Sequence, residues 1–339
     1  MDTSSFDYII IGAGAAGLML ATAMIKDDFF SGKSILLLDK SAKKTNDRTW
    51  CFWEKGAGQF DDILFKKWDY IYFKGKRFSD RFAIAPYTYK MIQGIDFYEA
   101  AFQKITTSTQ VTFVQTEVLQ IEDNGQEVMV TTTSTSFTGQ QVFNSIFNYD
   151  MVNHQKKYPV LQQHFLGWIV QTKEPVFDSE VATYMDFSIA QQNNTRFMYV
   201  LPFTKNKALI EYTLFSENLL PKEDYEKAIK EYLHQNLGVS SYEIESTEGG
   251  SIPMTSFDFK EHHTKNVLNI GTAGGWAKPS TGYTFASTAK KIPELINHLK
   301  LGKPLANLNF KNRFWFYDLL FLDVLHRDNA NGFYIFETL

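Results

Sequence analysis

The sequence predicts an α/β protein: a Rossmann-like nucleotide domain assembled from both ends of the chain, with an α+β substrate domain inserted between them. Three observations predict it. Gly12-Ala13-Gly14-Ala15-Ala16-Gly17 stands between an apolar run and a helical pattern near the N-terminus. A second glycine stretch, Gly271-Thr272-Ala273-Gly274-Gly275, follows an apolar run towards the other end. Between them, from about residue 162 to 252, the pattern turns to longer strands with one helix.

Each element follows from local pattern. Residues 7–11 are an apolar run that reads as a buried parallel strand, and residues 18–24 read as the helix after it. In that setting Gly12 allows the tight turn, Gly14 lets the backbone approach a pyrophosphate, and Gly17 lets the helix pack on the strand. The phosphates would rest on the helix N-terminus, where free N–H groups and the positive dipole end favour an anion. Residues 35–38 form a second buried strand ending in Asp39, spaced from the last glycine as an acid that binds a ribose 2′-hydroxyl.

Residues 69–73 and 77–78 look like paired strands across Lys74-Gly75-Lys76. Residues 96–104 read as a helix and 110–114 as a strand returning to the parallel sheet. Residues 118–121 and 127–133 flank Asn124-Gly125, a hairpin signal. In the middle region, 197–203 and 208–215 are strands, and the helix after Pro221 places Tyr225, Ile229, Tyr232 and Leu233 on one face. Residues 267–270 lead as a strand into the second glycine stretch, after which a helix should open near Ser280 or Thr281, both good N-caps. Residues 314–325 are densely apolar with two acids, a buried C-terminal helix unless its aromatic face marks a tunnel mouth or a membrane contact. The expected division is 1–68, 95–155 and 262–305 for the nucleotide domain, 69–94 and 156–261 for the substrate domain, and 306–339 for a C-terminal helical segment.

Composition narrows the function. The 339 residues are 44% hydrophobic, enough for a sizeable core, and the net charge is −4 with no Lys/Arg block to bind nucleic acid. Cys51 is the only cysteine, so no intramolecular disulfide forms. The adjacent His262 and His263 would diverge in a strand and no cysteine cluster accompanies them, so no metal site is expected. With no signal peptide and no run approaching the ~18 apolar residues of a spanning helix, a cytoplasmic protein is expected, any membrane contact being peripheral and at the inner face. The 30 Phe, 17 Tyr and 6 Trp suit either a bulky core or the lining of a tunnel for a long apolar substrate whose cationic intermediate meets ring faces.

The second glycine stretch runs on into Lys278-Pro279-Ser280-Thr281-Gly282-Tyr283-Thr284-Phe285, which resembles the lycopene β-cyclases of the bacterial type. Three more segments share the resemblance: Asn46-Asp47-Arg48-Thr49-Trp50-Cys51-Phe52-Trp53, Gln163-His164-Phe165-Leu166-Gly167-Trp168, and Leu201-Pro202-Phe203 leading to Leu209-Ile210-Glu211-Tyr212-Thr213. The similarity runs through nearly the whole chain. Members usually continue past the equivalent of Phe336-Glu337-Thr338-Leu339, which implies a chain cut short.

The resemblance implies a flavoprotein of the p-hydroxybenzoate-hydroxylase-like kind, binding FAD that is active when reduced, with NAD(P)H as electron donor and lycopene as substrate. It implies acid-catalysed, non-redox closure of ψ end groups to β rings, giving β-carotene by way of γ-carotene. The catalytic candidate is Glu211, matching the first acid of the family's Glu-Asp-Thr motif, here followed by Tyr212. In a strand its face is shared with Leu209 and Thr213, so an apolar tunnel there would keep the carboxyl protonated. The cofactor candidates are Gly12, Ala13, Gly14, Ala16, Gly17, Asp39, Arg48, Gly271, Thr272, Gly274, Gly282 and Tyr283. Arg48 reads equally as a surface arginine, and Trp50, Phe52 and Trp53 as tunnel wall or core. An FAD-dependent monooxygenase or reductase of an apolar polyene or isoprenoid shares the same nucleotide motifs.

Overall fold

The structure is a computed structural model that describes residues 4–338; residues 1–3 and 339, the outer ends of the first and last expected segments, lie outside it. Along the chain come β1 (Ser4–Ile11), α1 (Ala15–Ile25), β2 (Ile35–Asp39), β3 (Thr49–Lys55), β4 (Lys66–Trp68), β5 (Tyr70–Lys74), β6 (Ser79–Ala83), β7 (Tyr87–Gln93), α2 (Gly94–Thr107) and β8 (Val111–Gln115). Next are β9 (Val118–Asp123), β10 (Val128–Thr132), β11 (Ser136–Asn144), α3 (Asp150–Asn153), β12 (Leu161–Thr172), β13 (Val181–Asp186), β14 (Thr195–Pro202) and β15 (Lys207–Ser216). The chain then forms α4 (Lys222–Gln235), β16 (Tyr242–Met254), β17 (Val267–Asn269), α5 (Phe285–Lys300), α6 (Arg313–Arg327) and α7 (Gly332–Thr338).

The Rossmann-like sheet runs β8-β2-β1-β11-β10-β9, with β17 on β11, and its β8, β2, β1, β11 and β17 are all parallel. A strand covered on both faces must be apolar throughout. Ile9, Ile10 and Ile11 accordingly have no exposure, and they alternate between two cores. Ile10 and Leu37 pack under α1, α2 and α5, whereas Ile9, Ile11, Leu36 and Leu38 meet Val128 and Val130 of the β9–β10 hairpin. That hairpin turns at Asn124-Gly125, with Gly125 at φ +87.

A second sheet runs β16-β12-β15-β14-β13-β5-β6, antiparallel apart from the β13–β5 pair. Period-two alternation gives it two different faces. Ala208, Ile210, Tyr212 and Leu214 face the core under α4, whose Tyr225, Ile229, Tyr232 and Leu233 fill the same cluster. Leu209 and Phe215, with Phe197, Tyr199 and Leu201 of β14, pack into another cluster on the opposite face. A three-stranded sheet, β3-β7-β4, completes the architecture.

Two sequence expectations need correction. The helix after the second glycine stretch starts at Phe285, not at Ser280 or Thr281, and Thr284 occupies its N-cap position without a side-chain cap. Gly282, at φ +69, holds the chain in a tight loop closed by Lys278 N–H to the Tyr283 carbonyl (3.0 Å), so the helix cannot start earlier. The Ser280 hydroxyl donates instead to Asp318 (2.6 Å). The C-terminal helix, in turn, is not a buried apolar rod. On α6 one of the two acids points inward, Asp318 pairing with Lys278 and Ser280, while Phe314, Phe316, Tyr317, Leu320 and Val324 are exposed. Among the described residues no helix is long and apolar enough to cross a membrane.

Candidate active site

A cavity of about 490 Å³ opens where the two large sheets meet, and both glycine stretches reach it. Gly12, Gly14, Ala15 and Ala16 enter its wall from the start of α1, and Thr284, Phe285 and Thr288 from the start of α5. Two helix N-termini therefore present unpaired N–H groups to one space, an arrangement that favours an anion.

The three motif glycines have distinct geometric reasons. Gly12 stands at φ +94, closed to most side chains. A Cβ on Gly17 would lie 1.9 Å from the Gly12 carbonyl oxygen, so only hydrogen lets α1 sit against β1. At Gly14 a Cβ would meet nothing within 4 Å: its missing side chain leaves open space in the cavity wall.

Most of the other nucleotide candidates gather here as well. Asp39, Arg48, Gly271, Thr272, Gly282 and Tyr283 all line the cavity. Asp39 accepts from Ala13 N–H (2.6 Å) and Ser41 N–H (2.7 Å), which ties the end of β2 to the glycine turn and leaves lone pairs for a further donor. The Arg48 guanidinium lines the cavity and has no side-chain hydrogen bond or ion pair among the described residues. Ala13, Gly17 and Gly274 are not brought to the wall. Ala13 is turned to Asp39, Gly17 is held in the helix–strand contact, and Gly274 sits against the Asn269 carbonyl, 2.2 Å from where a Cβ would stand. Of the aromatic candidates, Trp50 lines the cavity and stacks on Phe285 at 5.0 Å, Phe52 is core, and Trp53 packs on Tyr89 and Tyr184.

Glu211 is on the opposite wall, with Leu209, Leu201, Tyr199 and Phe165 around it. Glu211 is half-buried and lines the cavity. Burial, reinforced by the nearby charge of Glu248, pushes its carboxyl up to about 8, against which the Thr213 hydroxyl, donating to Oε1 at 2.7 Å, pulls only weakly. At neutral pH the group is a protonated acid in an apolar setting, which is what protonating an alkene requires. Tyr212, next in sequence, faces away into the α4 core, where its hydroxyl accepts from Arg196 (2.8 Å). Phenols surround the acid: burial holds Tyr89, Tyr199 and Tyr283 above their ordinary range, so all three stay neutral.

No sequence motif assigns a role to Glu248, Gln163, Tyr89, Tyr199 or Thr288, all of which line the same cavity. Three polar atoms here are buried without a hydrogen-bond partner: Gln163 Oε1, Thr281 Oγ1 and Thr288 Oγ1. Behind Tyr199, Thr281 and Tyr283, which they share, lies a second and more apolar cavity of about 320 Å³, walled by Ile71, Phe73, Phe78, Phe82, Tyr184 and Phe336 among others. No α6 residue lines either cavity, so the tunnel-mouth reading of its aromatic face fails. Among the described residues no three His, Cys, Asp or Glu side chains cluster as a metal site.

The family model described as "Lycopene cyclase protein" matches residues 7–316. The chain is 24% identical over 329 residues to the chloroplastic lycopene beta cyclase of Arabidopsis thaliana, covering 89% of this chain and 62% of that protein. It is 29% identical over 161 residues to the lycopene beta-cyclase of Pseudescherichia vulneris, covering 45% of this chain and 41% of that one. Among solved structures, a flavoprotein/dehydrogenase from Cytophaga hutchinsonii superposes with a TM-score of 0.63 at 14% identity, covering 97% of this chain and 86% of that one. Likeness at that identity establishes the Rossmann-like α/β flavoprotein fold. Against the plant relatives from Arabidopsis and Nicotiana tabacum, the chain spans about three fifths of their length, 62% and 59%.

Proposed function

This chain belongs to the lycopene cyclase family, and on that premise we propose that it closes the linear ψ end groups of lycopene to β rings, as an isomerase acting in carotenoid biosynthesis. The observation that carries the reading is a carboxylic acid kept protonated on the wall of the cavity that the glycine motifs frame.

The residues fit FAD as cofactor. Gly14 leaves room for a pyrophosphate at the α1 N-terminus, Asp39 would accept from a ribose hydroxyl, and the free Arg48 guanidinium, Thr272, Gly271, Gly282 and Tyr283 offer further contacts. The unpaired Gln163, Thr281 and Thr288 atoms are what a polar ring system would satisfy. Reduced FAD, when bound, would supply negative charge beside a developing cation, with NAD(P)H keeping it reduced.

Glu211 then gives its proton to the terminal alkene of the ψ end group, and the tertiary cation that results is attacked by the neighbouring double bond. The ring faces of Trp50, Phe165, Tyr199 and Tyr283 favour the cation and exclude the water that would trap it. Loss of one proton completes the β ring, and no electrons are consumed. The second, apolar cavity takes the rest of the polyene. A monooxygenase or reductase would consume NAD(P)H in proportion to product, so the test is anaerobic. FAD-loaded, chemically reduced protein is incubated with lycopene in liposomes and the pigments are separated. Formation of γ- or β-carotene without net flavin oxidation is expected; unchanged lycopene with FAD bound would overturn the reading.

Lycopene partitions into bilayers, and the second cavity reaches the surface beside exposed Phe78 and Phe82 of the β5–β6 hairpin. Lys76, Arg77 and Arg81 stand against Phe333, Tyr334 and Tyr70, at 4.1, 4.6 and 4.3 Å from the ring centroids. Apolar tips flanked by cations suit an anionic membrane surface. Sedimentation with anionic vesicles should fall several-fold in F78S/F82S, whereas equal binding by both proteins would remove the hairpin from membrane contact.

A further inference from the structure

We propose that Glu248 is the base of the same reaction: it takes the proton that the closed ring loses and hands it back to Glu211. The inference rests on the cyclase reading and goes beyond it, because the family motif places its acids side by side on one strand.

Here the pair is rebuilt across three strands. Gly167 on β12 is directly opposite Glu211 on β15 and also directly opposite Glu248 on β16. A Cβ at Gly167 would lie 2.9 Å from Leu209 Cδ1 and 3.4 Å from both Glu211 Cβ and Glu248 Cγ. The glycine therefore leaves the space over which the two glutamate stems converge, and both side chains line the one cavity. Tyr212, at the sequence position of the family's second acid, is on the other face of the sheet.

Their surroundings differ in kind. Glu211 receives one hydroxyl, from Thr213, and no cation. Glu248 Oε2 accepts from the Thr49 hydroxyl at 2.6 Å, and the charge of Arg48 favours its ionised form. Burial raises both carboxyls, but Thr49 and Arg48 counter it at Glu248, so Glu248 ionises first and its charge then holds the proton on Glu211. Two carboxyls whose environments push them apart are an acid and a base. The other titratable groups against the pair are the Cys51 thiol on β3 and the phenols of Tyr89 on β7, Tyr199 on β14 and Tyr283 before α5, all pushed up by burial and neutral.

The step balances without an oxidant or reductant. One proton leaves Glu211 for the alkene carbon, one carbon–carbon bond forms, one proton leaves the ring for Glu248, and transfer from Glu248 to Glu211 restores the start. Turnover should rise with pH as Glu248 ionises and fall as Glu211 does.

The experiment combines infrared titration of the buried carboxyl C=O band with turnover, on wild type, E211Q to assign the band, E248Q and T49V. In E248Q the Glu211 band should persist only to a lower pH than in wild type, because the neighbouring negative charge is gone, and turnover should drop at least about tenfold with FAD still bound. In T49V the rising limb of the pH–rate profile should move to higher pH, because ionised Glu248 has lost its donor. An unmoved Glu211 band in E248Q together with an unmoved rising limb in T49V would overturn the inference. The band titration needs no turnover, so it stands apart from the cyclase reading, which fails separately if wild type does not cyclise. If E248Q does not fold, T49V decides alone.

Discussion

Glu211→Gln should lose about 10²–10⁴-fold in cyclisation, the range over which a positioned general acid acts. The substitution keeps size and keeps a carbonyl oxygen for the Thr213 hydroxyl, now 2.7 Å from Glu211 Oε1, so the wall of the cavity is undisturbed. What it removes is the transferable proton. Flavin absorbance and lycopene uptake should match wild type while ring formation disappears from the chromatogram. Retained turnover at the wild-type rate would take Glu211 out of the mechanism, and a loss of flavin along with activity would mean that the carboxyl supports the cofactor.

The same substitution has a stability signature of fixed sign. The folded protein holds the Glu211 proton up to about pH 8, whereas an unfolded chain releases it near the ordinary value of 4.5. Between these limits the folded state binds more protons, so stability falls as pH rises. The contribution of this group is fully present below 4.5 and lost through 8, on the order of a few kcal/mol. E211Q should flatten that part of the stability curve and leave the protein more resistant to urea at pH 8 than wild type. Equal slopes in the two proteins would show that Glu211 is not desolvated.

What sequence made legible is what depends on near neighbours. The β1–Gly12–α1 turn, the Asp39 terminus of β2 and the Asn124-Gly125 hairpin are decided within about a dozen residues, and the face of Glu211 follows from period-two alternation. The Glu211–Glu248 pairing is different in origin. It depends on Gly167 registering against positions 211 and 248 at once, and no local pattern carries a register between strands so far apart. The start of α5 at Phe285 is hidden from local pattern for a similar reason. Ser280 is a good N-cap in isolation, but Asp318, 38 residues on, takes its hydroxyl. The same pairing keeps Asp318 of α6 buried beside Leu322 and Leu325, while Phe314, Phe316 and Tyr317 are exposed, contrary to what polarity alone predicts.

Gly14→Val and Gly17→Ala should fail in opposite ways, although they are three residues apart in one motif. Gly14 has φ −84, an ordinary value for any residue, and a Cβ there meets nothing within 4 Å. The valine variant should therefore unfold within about 0.5 kcal/mol of wild type when both are flavin-free. Its isopropyl group would occupy the space left for the pyrophosphate against the α1 N-terminus, so FAD affinity should fall at least about tenfold, since one lost charge-assisted hydrogen bond already amounts to that. Gly17 carries the reverse logic. One methyl group would come within 1.9 Å of the Gly12 carbonyl oxygen, a backbone atom that cannot swing aside, so α1 must lift from β1. Overpacking of this kind costs about 1–3 kcal/mol, and the flavin-free protein should show all of it in urea. Because the lifted helix also carries the N–H groups that face the cavity, FAD binding should weaken secondarily, and added FAD should recover part of the lost stability by mass action. If Gly14→Val instead destabilises the flavin-free protein as much as Gly17→Ala does, the open space beside Gly14 is not there. If it binds FAD as wild type does, the pyrophosphate lies elsewhere and the nucleotide assignment of the glycine turn falls with it.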